Sequence, residues 1–137
     1  DRIARPGGEI LKIMSAGQDS PLDIGEAYFS ILEPQVIRAW KLHTQMTVRA
    51  FVPQGAVKFV VATESLNEPT FEAFVLGPSH DYGCLTIEPN TWFGFAGGID
   101  GGVVLNMADL IHDPSESKKS DQSYFGFWFA GLVLEHN

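Results

Sequence analysis

The stretch Val52-Pro53-Gln54-Gly55-Ala56-Val57-Lys58-Phe59-Val60-Val61-Ala62 decides how the chain is read. Proline presets φ and glycine is free to take φ > 0, so Pro53-Gln54-Gly55 predicts a tight turn. It feeds the most apolar run of the chain, Ala56 to Ala62, which has strand length and is rich in Val and Phe. Before it, strands are predicted over Glu9–Ser15, Glu26–Leu32, Val36–His43 and Thr47–Val52. After it they are predicted over Thr70–Leu76, Gly83–Glu88, Trp92–Ala96 and Val103–Met107. The glycine-rich stretch Gly97-Gly98-Ile99-Asp100-Gly101-Gly102 predicts a hairpin between the last two. Short strands at this spacing, with turn residues between them and little helical periodicity, predict an all-β sandwich or barrel.

The 137 residues make one ordinary domain, so a single domain over residues 1–137 is expected. Nine Lys and Arg against seventeen Asp and Glu give a net charge of −8, which argues against nucleic acid or an anionic membrane as a main partner. A phosphorylated ligand remains compatible, because a few cations in a cleft outweigh the global balance. No apolar run approaches the roughly 20 residues that span a bilayer. The first residues, Asp1-Arg2-Ile3-Ala4-Arg5-Pro6, lack the apolar centre of a signal peptide. The single Cys84 forms no internal disulfide and reads as a core thiol. A cytoplasmic location follows as the expectation. His112–Gln122 reads as an exposed polar connection. Tyr124–Leu134 is apolar enough to pack on the domain or on a second copy, so a homodimer is expected.

The densest chemistry lies in Val36-Ile37-Arg38-Ala39-Trp40-Lys41-Leu42-His43. Alternate residues of a strand share a face. Strict alternation therefore puts Ile37, Ala39, Lys41 and His43 together and turns Arg38, Trp40 and Leu42 the other way. Were the first face to look inward, burial would lower the Lys41 pKa toward that of a base, with His43 beside it to shuttle a proton. The competing reading leaves both on a solvated face, with Trp40 in the core. Trp92 and Phe93 are able to stack on a base or sugar ring, although aromatic residues in such a strand are core more often than platform. Glycines 97–98 and 101–102 are turn residues, and no phosphate loop of standard pattern is present.

The ordered set Gly25-Glu26-Ala27-Tyr28-Phe29-Ser30, Val36–His43, Val52–Val60, Glu68-Pro69-Thr70-Phe71, Phe74-Val75-Leu76-Gly77, Ile87–Phe95 and His112-Asp113-Pro114 resembles the dTDP-4-dehydrorhamnose 3,5-epimerase family. The resemblance runs from about Gly25 to Pro114. It implies a cupin jelly-roll β-sandwich, commonly a homodimer, that acts without a metal or other cofactor on nucleotide-linked 4-keto-6-deoxy sugars. The family's base His, second His and acid Tyr fall at Lys41, Phe93 and Asn106 here, while Arg38 matches the family's phosphate-holding Arg. Related 3,4-ketoisomerases carry a basic residue two places before a His, as Lys41 and His43 do. Metal-binding cupins instead offer His-x-His with a Glu soon after. Here Lys41 stands in the first His place and no Glu follows before Gly55, so no metal is expected.

The site expected from these residues has Lys41 and His43 as catalytic groups and Arg38, Arg49, Trp92 and Asn106 as substrate-binding groups. Three readings compete. One is a sugar-nucleotide epimerase or isomerase acting on a dTDP-4-keto-6-deoxyhexose in surface-polysaccharide biosynthesis. The others are a sugar-nucleotide-binding module without chemistry and a dimeric scaffold. The direction of the Lys41 and His43 side chains discriminates between them.

Overall fold

A computed structural model describes residues 2–15, 23–63 and 70–121. The apolar stretch Tyr124–Leu134 lies outside the described residues. Strands β1 (Arg2–Arg5) and β2 (Gly8–Leu11) form a small antiparallel hairpin of their own, where one strand over Glu9–Ser15 is predicted. The body is built from β3 (Glu26–Leu32), β4 (Ile37–His43), β5 (Val48–Thr63), β6 (Thr70–Leu76), β7 (Leu85–Ile87), β8 (Trp92–Ala108) and β9 (Ser117–Lys119). All pairings among them are antiparallel.

Two long, bent strands organise the body. The first half of β5, Val48–Phe51, pairs with Leu105–Ala108 of β8 and with β7, and β3 flanks that half of β8. The second half of β5, Val57–Ala62, pairs with Trp92–Gly97 of β8, and this layer continues through β4 to β9 on one side and β6 on the other. One curled sheet thus folds over on itself as two layers, the cupin-type jelly-roll sandwich. Among the described residues no helix is long and apolar enough to cross a membrane.

Two predicted turns are bends within strands. At Pro53-Gln54-Gly55 the register of β5 against β8 shifts between Phe51 and Gln54 and again between Gly55 and Val57, while the strand continues. Gly97–Gly102 likewise lies inside the seventeen-residue β8. Pro and Gly serve a bulge as readily as a turn, and here the extra residues fold each strand from one layer into the other. Gly55 takes φ +75, and a Cβ there would collide with the Gly101 carbonyl oxygen. Gly55→Ala is therefore expected to cost about 2–4 kcal/mol through its backbone conformation and this collision, read as a lowered thermal midpoint.

Most of the core falls into two clusters, with Met46, Val48 and Ala108 as a small third. Leu32, Val52, Val57, Phe59, Leu76 and Val104 fill the space between the layers. Trp40, Leu42, Val60, Ala62, Trp92 and Ala96 form a second buried cluster on the other face of the β4–β8–β5 layer, with Ile37 and Ala39 packed against it. Fully buried side chains such as Phe59 and Val60 contribute roughly 1.5–3 kcal/mol each, so these clusters fix which face of β4 looks inward.

Candidate active site

The β4 strand departs from strict alternation. Ala39 pairs with Gly94 and Lys41 with Phe93, so Trp40 is an extra residue in the ladder. Ile37, Ala39, Trp40 and Leu42 all pack in the outer cluster. The bulge resets the parity, and Arg38, on one side of it, lines the same cleft as Lys41 and His43 on the other. The predicted grouping of Ile37 and Ala39 with Lys41, and of Arg38 with Trp40, is corrected by this one inserted residue.

The cleft lies between the two layers and has a volume of about 450 Å³. One layer contributes Tyr28 and Ser30 from β3, Val48 from β5 and Asn106 from β8. The other contributes Arg38, Lys41 and His43 from β4, Phe93 and Phe95 from β8, and Lys119 from β9. Lys41, Phe93 and Asn106, the positions matched to the family's His, His and Tyr, are thus brought to one place.

His43 is buried, at 5% exposure, and its Nδ1 lies 2.6 Å from Oε1 of Glu116, itself 7% exposed. The other carboxylate oxygen of Glu116 accepts from the backbone N–H groups of Gln45 (3.0 Å) and Met46 (2.9 Å). Burial alone would push the Glu116 carboxyl up. The amide of Gln45, the His43 ring and the amide of Met46 outweigh it and hold the pKa below the ordinary value. An ionised carboxylate only accepts, so Nδ1 of His43 carries the proton and, in the neutral ring, Nε2 keeps the lone pair. Phe93 stacks on the imidazole, with centroids 5.8 Å apart and planes 24° from parallel. Its aromatic face holds the plane of a ring whose tautomer Glu116 sets.

Glu116 sits where an exposed connection was expected. Asp113 caps a short 3-10 turn over Pro114–Glu116 by accepting from the Ser115 amide. The chain then enters β9, which pairs Ser117, Lys118 and Lys119 with His43, Leu42 and Lys41. The Thr44 amide and hydroxyl both donate to the Glu116 carbonyl, at 2.8 and 2.6 Å, so the turn is tied to the end of β4 from both sides. The Asp113-Pro114-Ser115-Glu116 sequence is itself a helix-start signal, which marks the turn but not its contact with His43.

Lys41 is partly buried and faces Lys119 across the β4–β9 ladder. Desolvation lowers its pKa first and the Lys119 charge lowers it further, against a smaller rise from Glu116. Tyr28 projects from the opposite layer, and burial, then the charge of Glu26, raises its phenol, which therefore stays protonated through the neutral range. Asn106 is opposite Tyr28 in the β3–β8 register, and its amide donates to the Ser30 hydroxyl at 3.0 Å. Sequence reasoning singled out neither Tyr28, Lys119 nor Glu116. Among the described residues no three His, Cys, Asp or Glu side chains converge as a metal site.

No family model matches the chain. A dTDP sugar isomerase from Desulfovibrio desulfuricans G20 matches it in structure with a TM-score of 0.83 and 30% identity, over 90% of this chain and 82% of that one. The chain belongs to the dTDP-sugar epimerase and isomerase family. A "Probable low-salt glycan biosynthesis epimerase Agl13" of Haloferax volcanii is 26% identical over 77% of this chain and 71% of its own. The fold is shared with QdtA, a sugar 3,4-ketoisomerase from Thermoanaerobacterium thermosaccharolyticum solved with TDP, at a TM-score of 0.67 and 20% identity over 98% of this chain and 90% of that one.

Two residues placed in the site by sequence do not reach the cleft of this epimerase-family protein. Trp92 is 6% exposed inside the outer cluster beside Trp40, because its place in β8 gives it the parity opposite to Phe93. Arg49 follows Val48, a cleft residue, and so projects from the other face of β5 into a separate groove with Phe51, Cys84, Thr86 and Glu88. Cys84, read as a core thiol, is exposed at that groove.

Proposed function

We propose that this single-domain chain is a cofactor-independent epimerase or ketoisomerase acting on a dTDP-4-keto-6-deoxyhexose in surface-glycan biosynthesis. The cleft-lining His43, backed by buried Glu116 and beside Lys41, carries the reading. A carbonyl at C4 acidifies the C–H bonds at C3 and C5, so a single base is able to remove a proton and leave an enolate. His43, with Nδ1 held by Glu116, is that base. Tyr28 stands on the opposing layer as a neutral acid, which is what returning a proton to a different face or atom requires. Lys119 supplies positive charge for the C4 oxygen. Asn106, fixed through Ser30, positions the sugar.

Arg38, exposed at the rim of the cleft, takes the diphosphate. Arg38→Gln is expected to weaken dTDP binding roughly tenfold by calorimetry, the loss of one charge-assisted hydrogen bond.

The deciding experiment is incubation with dTDP-4-keto-6-deoxyglucose in D₂O, followed by mass spectrometry and NMR. Deuterium at C3 or C5 supports the assignment. Binding of dTDP without any exchange would instead mark a module that keeps the pocket and has lost the chemistry.

A homodimer is part of this reading. Among the described residues β3 pairs with β8 alone, and Phe29 and Ile31 on it are 64% and 76% exposed. An apolar strand edge of that kind offers a surface for another chain to cover. Phe29→Asp with Ile31→Asp is expected to halve the mass measured by sedimentation.

A further inference from the structure

Three features fix what Lys41 is able to do. Lys41 and His43 lie two residues apart on one inward face beyond the bulge, which separates their Cα atoms by about 6–7 Å. A lysine amine and an imidazole at that spacing reach neighbouring atoms of one small substrate. The charges that act on Lys41 among the described groups are those of Lys119 and Glu116. Glu116 is spent on His43, Gln45 and Met46, and no carboxylate lies within ion-pair distance of Lys41 or Lys119 among the described residues.

A lysine with no ion-paired carboxylate among the described residues, partly out of water and facing a second ammonium, has its pKa lowered, against a smaller opposing pull from Glu116. A neutral amine is a weak partner for phosphate or for an enolate oxygen, and a good nucleophile toward a ketone. Lys119 and Arg38, both exposed, remain to serve as the cations. The cleft thus divides the two jobs between different basic residues.

We propose that Lys41 forms an imine with the C4 carbonyl of the sugar nucleotide, so that His43 removes the neighbouring proton from an iminium and not from a free ketone. This rests on the activity proposed above. The Lys41 nitrogen adds to C4 and passes one proton to the former carbonyl oxygen. A second proton, from Tyr28 or water, lets that oxygen leave as water and gives the iminium. His43 then takes the C3 or C5 proton, and the C–H electron pair forms an enamine whose nitrogen is neutral. Reprotonation at carbon, followed by addition of water, returns the ketone and the Lys41 amine. No oxidant or reductant is consumed.

The test is cyanoborohydride trapping of the full chain with dTDP-4-keto-6-deoxyglucose. The expected result is a covalent adduct of the substrate mass less one oxygen, mapped to the peptide bearing Lys41. His43→Gln should keep the adduct while losing deuterium exchange, and Lys41→Arg should lose both while still binding dTDP. As a second readout, the enzyme should exchange the C4 oxygen with H₂¹⁸O at least tenfold faster than the enzyme-free ketone. Deuterium exchange without an adduct and without faster oxygen exchange overturns the imine and leaves the epimerase or isomerase reading standing. An adduct mapped to Lys119 overturns the assignment to Lys41. Absence of deuterium exchange, adduct and accelerated oxygen exchange together overturns both proposals.

Discussion

Replacing His43 with glutamine is expected to slow deuterium incorporation into a dTDP-4-keto-6-deoxyhexose by about 10²–10⁴-fold, the usual contribution of a positioned general base. Glutamine fills similar space beside Phe93, and its amide N–H is able to donate to Glu116, so the buried carboxylate keeps a partner. It offers no basic nitrogen to the cleft. Binding of dTDP should change little, because the proposed diphosphate contact is Arg38 at the rim and not the imidazole. The loss should therefore fall on kcat with KM nearly unchanged, the pattern of an interaction made in the transition state. Thermal melting of the variant within a few degrees of the parent shows that chemistry, not folding, was lost. Unchanged exchange in a folded His43→Gln protein would remove His43 from the role of base.

Local patterning made much of this molecule legible. The runs Glu26–Leu32 and Thr70–Leu76 are β3 and β6 as predicted, and β4 begins one residue later than predicted. Their ends carry turn residues. What composition leaves open is what a Pro-Gly or Gly-Gly interruption does. Around Gly55 and across Gly97–Gly102 the pairing of β5 with β8 resumes after a register shift, Gly55 with Gly102 and Val57 with Gly97, so the same two strands run on into the other layer. No residue within the stretch records that.

The site was legible as a segment but not as an arrangement. Lys41 and His43 share an inward face, as alternation predicts, whereas Arg38 joins them only because Trp40 is inserted into the ladder. Trp92 and Phe93 are neighbours of similar character, and strand parity alone sends one to the outer cluster and the other onto the His43 ring. Glu116 lies 73 residues from His43 in the chain, inside a stretch of polar residues that reads as solvent-exposed. A carboxylate becomes part of a site there through the β4–β9 pairing, a non-local event with no local signature.

That carboxylate gives the other large effect. Glu116→Ala leaves the Gln45 and Met46 amides and the Nδ1–H of His43 without their buried acceptor. The expected cost is about 3–5 kcal/mol, seen as a fall in the thermal midpoint of roughly 10–20 °C. Glu116→Gln separates this from the chemistry. Its carbonyl oxygen still accepts from the backbone amides, but its NH₂ then faces Nδ1 and drives the ring proton to Nε2. The tautomer is reversed and the lone pair leaves the cleft, so exchange should fall by about 10²–10⁴-fold with a smaller loss of stability. The pH dependence checks the same bond. The folded-state pKa of Glu116 is held below its ordinary value of 4.5, so its stabilising contribution is full above that pH and is lost as pH falls through the depressed value. The gap in thermal midpoint between parent and Glu116→Gln should therefore narrow as pH falls below 4.5 and through the depressed value. A gap that stays constant into strong acid would show that the ionised carboxylate is not what holds His43.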